Sequence, residues 1–239
     1  MRRFLVPSLF CILSVCVHAI DVTAVTEHLP PYQIVKNGEV IGGSSYEFME
    51  SVFREAKILH HTLALPWARA YKMANENKNT VIYSLFRTSK RESNFHWIGP
   101  LGAIPFYVYT TSDGSIVDLV NNDLDDYIAV AVRDSAEADL LKQKGFHESR
   151  NLIVVKDYLA VWTMLKLKRA DFTIAHKPYQ GIIEEAHLKE EDFKTLETIS
   201  LSMPLYVAAS LSTDLELVER LRKAYQVKRP QLGDMLPVF

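Results

Sequence analysis

The stretch that decides the fold spans residues 127–175 and reads YIAVAVRDSAEADLLKQKGFHESRNLIVVKDYLAVWTMLKLKRADFTIA. It contains three short apolar runs, at 127–132, 152–155 and 172–175. Between them lie two segments whose apolar residues recur at helical spacing. Strands separated by single helices predict βαβ units and therefore an α/β protein with mainly parallel sheets.

The same alternation extends outward on both sides of this stretch. Further strands are predicted at 21–26, 62–65, 80–84, 104–110, 196–199 and 205–210, and further helices from Ser44, after Pro66, after Pro178 and from Thr213. Capping pairs are predicted for three helices: Ser44 with Glu47, Asp134 with Glu137, and Thr213 with Glu216. The polar stretch 112–126 is predicted to be a seam between two halves.

The amino terminus predicts export. Arg2 and Arg3 precede an apolar run that ends at Val17, and Ala19 ends a pattern of small residues suited to cleavage. This is the form of a secretory signal peptide over residues 1–19, with an uncleaved anchor as the alternative. Both cysteines of the chain lie in this segment, so the mature chain is predicted to form no disulfide.

Composition argues against several classes of function. The chain has 27 basic and 29 acidic residues, and loss of Arg2 and Arg3 makes it more acidic, so nucleic acid is not an expected partner. Neither a glycine-rich nucleotide loop nor a serine elbow occurs, and no spacing suits a metal. His60 and His61 adjoin, but neighbours on a strand point to opposite faces. We therefore expect no cofactor, no metal and no catalysis.

A basic and aromatic segment follows the strand at 80–84. It places Arg87, Thr88 and Arg91 just beyond the strand, before Phe95 and Trp97. Ligands of open α/β sheets bind beyond the carboxyl ends of strands, where an arginine can hold a carboxylate with two hydrogen bonds. Ordinary surface charge is the alternative reading of this segment.

The order of several short motifs resembles the amino-acid-type family of bacterial extracellular solute-binding proteins. The matching elements are Pro30-Pro31-Tyr32, the glycines of 38–43, Thr88-Ser-Lys-Arg91, Phe95 to Pro100, Val130 to Gly145, and Lys168-Arg-Ala-Asp171. The resemblance implies two α/β lobes with a ligand cleft between them and closure by a hinge motion. It implies one lobe from 20–111 with 201–239, a second from 112–200, and crossings near 110–114 and 200–204.

The resemblance also implies a function and a set of ligand-binding residues. The function is periplasmic capture of a small carboxylate-bearing solute by a monomer that serves a membrane permease or a membrane sensor. Arg91 matches the residue that grips the carboxylate, with Thr88 beside it. The other implied ligand-binding residues are Tyr32, Trp67, Arg69, Arg133, Ser135 and His176. A salt bridge is the alternative role for Arg91, core packing for Tyr32 and Trp67, and a helix cap for Asp134.

One departure from the family concerns the amine of an amino acid ligand. Members that bind α-amino acids usually place an acidic residue five positions after the matched aspartate, here Asp171. That position is His176, with Lys177 beside it. Glu27 is a candidate for the missing negative charge.

Two alternative functions use the same fold. A dehydratase-like enzyme would draw its general acid or base from Glu27, Asp134 and His176. A stand-alone sensory or accessory protein would be recognised by its partner in the closed form.

Overall fold

A computed structural model of the protein describes residues 21–114 and 126–235. The predicted signal peptide and most of the predicted seam lie outside the described residues. The strands are β1 Asp21–Thr26, β2 Ile34–Lys36, β3 Glu39–Gly42, β4 Leu59–Ala64, β5 Thr80–Phe86, β6 Phe95–Thr111, β7 Ala129–Val132, β8 Leu152–Val155, β9 Phe172–Ala175 and β10 Phe193–Ser210. The α-helices are α1 Ser44–Glu55, α2 Trp67–Glu76, α3 Ala136–Gln143, α4 Tyr158–Lys166, α5 Gln180–Glu185 and α6 Leu215–Lys228.

Eight of these strands form one sheet in the order β4-β1-β5-β10-β6-β9-β7-β8. The pairs β1–β4 and β1–β5 on one flank, and β7–β8 and β7–β9 on the other, are parallel. The pairs β5–β10, β10–β6 and β6–β9 are antiparallel. The predicted α/β class is confirmed, with an antiparallel centre between two parallel flanks.

The centre of the sheet is a ribbon of the two longest strands. β6 and β10 have 17 and 18 residues and pair from Phe193 opposite Thr111 to Ser210 opposite Phe95. Their register shifts between Leu196 and Leu201. β6 already pairs with β9 at Tyr107, and β10 pairs with β5 from Leu205 onward, so the ribbon joins the two flanks.

Hydrophobic burial explains why these segments adopt their structures. All seven residues of β5 are buried, as expected for a strand covered on both faces by helices. The helix α1 turns Phe48, Met49, Val52 and Phe53 inward, at the spacing of one helical face. The core therefore lies on both sides of the sheet, and the loops that follow the strands are left for the site.

Three predicted helix caps are wrong. Gly43 caps α1 with a φ of 112°, and a β-carbon there would lie 2.4 Å from the carbonyl oxygen of Tyr32, so only glycine fits. Ser135 caps α3, and its hydroxyl accepts a hydrogen bond from the amide of Ala138 at 3.1 Å. Asp214, and not Thr213, occupies the N-cap position of α6. Asp157 caps α4, and its carboxylate accepts a hydrogen bond from the Ala160 amide at 2.9 Å.

Within residues 21–114 and 126–235, no helix combines the length and the apolar composition that crossing a bilayer requires.

Candidate functional site

A small cavity lies where the parallel strands of the two flanks end. Its free volume is about 10 Å³, which is room for one water-sized sphere. Ser84 and Phe86 line it from the end of β5, and Val132 lines it from the end of β7. The other lining residues are Glu27, Leu29, Trp67, Phe106, Ser135, Ala136, Glu137 and Tyr158. We call this space the inner cavity.

A larger space of about 360 Å³ opens beside the inner cavity and shares Glu27, Trp67 and Tyr158 with it. We call it the outer cavity. Carboxylates of Asp157 and Glu185 also line it, together with the rings of His28 and Tyr179. The His28 and Tyr179 rings meet edge to face at 5.0 Å. Lys156 lines it too, so the outer cavity brings three carboxyl groups and one lysine together beside aromatic rings.

Arg91 lies at the junction of the two flanks and is fully buried. Its Nη1 donates to the Phe86 carbonyl at 3.1 Å, and its Nη2 donates to the Asp134 carbonyl at 2.7 Å. Its Nε has no hydrogen-bond partner. The guanidinium lies 4.8 Å from the centre of the Tyr71 ring and 5.5 Å from that of Trp67. The predicted position beyond a strand end is correct, but the bonds seen are to backbone carbonyls.

Trp67 contributes to the same junction. It is buried at the start of α2, and its Nε1 donates to the Asp134 carbonyl at 2.9 Å. Asp134 has a φ of 57°, in the left-handed region that a short polar residue adopts more readily than most. That carbonyl therefore accepts bonds from both Arg91 and Trp67 of the opposite flank.

The inner cavity holds two carboxylates with altered acidity. Burial raises the pKa of Glu27 to about 8, the charges of Glu137 and Asp157 add to the effect, and Arg91 opposes it. Burial also raises the pKa of Glu137, against the lowering effect of a hydrogen bond from the Tyr158 hydroxyl. Tyr158 is itself buried, and its pKa lies well above the ordinary value. Neutral carboxyl groups are thus favoured in the inner cavity.

The remaining predicted residues of the cleft are Thr88, Ser135 and His176. The Thr88 hydroxyl is a buried atom without a partner, while Ser135 lines the inner cavity. His176 follows β9, and its Nδ1 bonds the Lys177 carbonyl at 2.8 Å, which leaves its Nε2 without a partner. Its ring packs 4.4 Å from that of Tyr158, and burial lowers its pKa. The neutral form of His176 is therefore favoured, and its ring lies beside Tyr158 of the inner cavity.

Three predicted site residues lie elsewhere. Arg69 is exposed on α2, because it lies two positions after the buried Trp67 and so turns away from the core. Arg133 is exposed, and its Nη1 lies 3.6 Å from a carboxylate oxygen of Glu148. Tyr32 is half-buried in the loop before β2 and lines neither cavity. Arg69 and Arg133 line neither cavity, and their role in ligand binding stays a prediction.

Sequence reasoning missed Glu137 and Tyr158 as parts of the site. Glu137 stood out only as a capping residue in the first turn of a helix. Its bond to Tyr158 joins residues 21 positions apart in the chain, so no local pattern signals it. Among the described residues, no group of three or more His, Cys, Asp or Glu side chains is arranged to hold a metal ion.

The chain is similar to known proteins in its fold. No protein-family model and no curated protein sequence matches the chain. A histidine kinase sensor domain with similarity to periplasmic binding proteins superposes with a TM-score of 0.73 at 16% identity, over 92% of this chain and 99% of that one. The arginine-, lysine-, histidine-binding protein ArtJ of Geobacillus stearothermophilus gives 0.71 at 10% identity, over 90% and 93%.

A third similar structure is the GluR0 ligand-binding core of Nostoc punctiforme in complex with L-glutamate. It gives a TM-score of 0.65 at 16% identity, over 89% of this chain and 99% of that one. At such identities the likeness concerns the fold. The chain therefore has the two-lobed architecture of the periplasmic binding proteins, as its sequence motifs implied.

Proposed function

We propose that this protein captures a small carboxylate-bearing solute, an amino acid or a related compound, by closing its two lobes around it without chemical change. The similar structures support this proposal, since their names describe binding of arginine, lysine and histidine in one case and of L-glutamate in another. The lobes are residues 20–111 with 201–239, and residues 112–200. The cleft between them contains the inner and outer cavities.

The observation that carries the proposal is the state of Arg91. Its guanidinium is fully buried, and the hydrogen bonds it donates within the described residues go to the carbonyl oxygens of Phe86 and Asp134 and not to a carboxylate. A buried cation is costly unless an anion and hydrogen-bond acceptors surround it. Nε has no partner and Nη2 is held only by a carbonyl of the other lobe. A carboxylate that accepts from Nε and Nη2 together would satisfy this geometry.

Further residues complete the proposed site. The Thr88 hydroxyl and the Ser135 hydroxyl supply polar contacts, one from each lobe. Trp67 covers the guanidinium, and His176 takes the place usual for an amine-holding acid. Tyr32, which lines neither cavity, is proposed to meet the solute at the mouth of the cleft. Closure would be favoured because the solute contacts both lobes.

We further propose that the protein works outside the cytoplasm, as a monomer, with a membrane permease or a membrane sensor as its partner. The signal-peptide pattern of residues 1–19 supports export. The likeness to a histidine kinase sensor domain favours including a sensor among the partners.

The test is ligand screening by thermal shift and calorimetry against amino acids and organic acids, with Arg91→Lys as the principal variant. Lysine keeps the charge but loses the paired donors, so affinity should fall by about tenfold or more. Arg54→Lys is the matched control, since Arg54 is an exposed arginine in the last turn of α1, and it should leave affinity unchanged. Circular dichroism confirms that each variant folds. An Arg91→Lys protein that binds as tightly as the wild type would refute the assignment of Arg91.

A raised pKa also favours a second candidate function, because a carboxyl group with a pKa of about 8 is the kind of acid that catalysis uses. Incubating the protein with each solute found by screening, followed by mass spectrometry of the solute, separates the two. Unchanged solute at stoichiometric binding supports capture, and turnover supports the enzyme.

A further inference from the structure

Two carboxylates face the inner cavity from opposite lobes. Glu27 follows β1 in the first lobe, and Glu137 lies in the first turn of α3 in the second. The cavity between them is lined by hydroxyls, rings and apolar side chains, and no lysine or arginine is among its lining residues. Closing the lobes therefore brings two acids into one confined space.

The orientation of Glu137 is fixed by a tyrosine. The Tyr158 hydroxyl donates to Glu137 Oε1, while Glu137 Oε2 is buried and has no hydrogen-bond partner. Glu137 as a whole is only 2% exposed. A buried carboxylate oxygen without a donor is costly, so this oxygen requires a donor or a proton.

We propose that Glu27 and Glu137 together form a subsite for an organic cation, such as a primary ammonium group, and that the lobes close fully only when this cation or a proton lies between the two carboxylates. The inference rests on the proposed function, and it adds a positive charge by which the solute can take the place of the proton. It also relocates the cation subsite away from position 176, where this chain has a neutral histidine.

The outer cavity indicates an organic cation rather than a metal ion. Glu27 borders both cavities, so a solute lying in the outer one can reach it with a charged end. The rings of Trp67, Tyr158 and Tyr179 line that path. Aromatic faces stabilise ammonium and guanidinium groups through cation–π contacts. An inner cavity of about 10 Å³ admits only the head of such a group after small movements.

The charges that surround the pair determine how closure depends on pH. The acidic groups are Asp157 and Glu185, the basic groups are Arg91 and Lys156, and the other titratable groups are His28, Tyr158, His176 and Tyr179. The closed cleft raises the pKa of Glu27 from 4.5 to about 8, whereas an open, hydrated cleft leaves it nearer its ordinary value. Closing therefore takes up a proton between these pH values, and the ligand-free closed form is lost as pH rises through about 8.

The test measures the radius of gyration by small-angle X-ray scattering, without added solute, at about pH 6 and about pH 9.5, on either side of the Glu27 pKa. The wild-type protein is expected to be compact at the lower pH and expanded at the higher one. Glu27→Gln and Glu137→Gln each remove one charge and should remain compact at both. Glu216→Gln is the matched control, an exposed glutamate in the first turn of α6, and it should follow the wild type.

A wild-type radius of gyration that does not change with pH, and that neither cleft variant alters, overturns the proposal. So does a Glu216→Gln protein that stays compact at both pH values, as the two cleft variants are expected to do. Because Gln is nearly isosteric with Glu, loss of folding is not expected, and thermal melts at both pH values verify this.

A second arm separates failure of this inference from failure of the proposed function. L-lysine, cadaverine and hexanoate are titrated calorimetrically into the wild type, Glu27→Gln and Arg91→Lys. Cadaverine binding that falls tenfold or more in Glu27→Gln, and not in Arg91→Lys, supports the cation subsite even without a carboxylate grip. Hexanoate binding that depends on Arg91 and not on Glu27 supports the carboxylate grip alone and counts against the cation subsite. Where none of the three binds, the scattering result decides.

Discussion

The indole Nε1 of Trp67 and the carbonyl oxygen of Asp134 lie 2.9 Å apart and form a hydrogen bond that joins the two lobes. The same carbonyl accepts from Arg91 at 2.7 Å. Two side chains from one flank of the sheet thus converge on one backbone atom of the other flank. In the proposed two-lobe division, these bonds cross the cleft.

Trp67→Phe should shift the protein toward the open form, because the ring is retained while the bond to the Asp134 carbonyl is lost. A single hydrogen bond contributes about 1 kcal/mol, so solute affinity should fall about fivefold. Trp97→Phe is the matched control, since its Nε1 bonds the Glu92 carbonyl at 3.0 Å within the first lobe. Scattering and calorimetry measure the two effects. Equal effects of the two substitutions would contradict a role in closure.

A second bond across the cleft is the ion pair of Lys90 and Asp139, with 2.6 Å between Nζ and Oδ1. Lys90 is 61% exposed at its side chain, so the pair contributes less than about 1 kcal/mol. Lys90→Ala should favour the open form slightly at low salt, and the difference should vanish near 1 M NaCl, where charges are screened. Lys142→Ala, which breaks a pair with Glu148 inside one lobe, should not change closure. A difference that persists at high salt would exclude a purely ionic contribution.

Glu27 should make the wild type lose stability as pH rises. Its pKa is raised to about 8 in the folded protein, so the native state binds more protons than the unfolded state between about pH 4.5 and about pH 8. The free energy of unfolding of Glu27→Gln should therefore exceed that of the wild type by about 1 kcal/mol or more at pH 8, and less at pH 5. Urea unfolding followed by circular dichroism measures both. Parallel pH profiles for the two proteins would show that Glu27 ionises freely.

His176 should have the opposite effect, on the acid side. Burial lowers its pKa, so the unfolded state binds more protons than the native state at pH values just below the ordinary 6.5 of histidine. The wild type should lose stability as pH falls through this window, and His176→Gln should lose less. His147→Gln, at an exposed histidine, is the control. A steeper acid loss in His176→Gln than in the wild type would refute a neutral buried His176.

The architecture could be predicted largely because hydrophobic patterns are local. The strands Leu152–Val155 and Phe172–Ala175 were predicted with their observed ends. The lengths of β6 and β10 could not be predicted, since each strand is extended by pairing with the other over a long separation in the chain. Gly99, Pro100 and Pro204 lie within these strands and interrupt the local strand signal.

The site could be predicted only in part, for a related reason. Trp67, Arg91 and Ser135 follow strand ends or begin helices, and such positions are visible in a sequence. The exposure of Arg69 could also be predicted. Trp67 and Ala70 lie three positions apart on the buried face of α2, which leaves Arg69 on the opposite face. The place of Glu137 in the site could not be predicted, because its burial depends on a tyrosine of another helix.

The paired strands β6 and β10 have a mechanical consequence. Both lobes are attached to the same two antiparallel strands, whose backbone hydrogen bonds resist sliding and shear but allow bending. The register of the ladder shifts between Leu196 and Leu201, and again at Leu205/Tyr206 and Val207/Ala208, and we expect bending to concentrate at the first of these shifts. We therefore expect the two lobes to move relative to each other mainly by bending of this two-stranded ribbon. A partner protein that contacts both lobes could then distinguish the ligand-bound from the ligand-free form by the angle between the lobes.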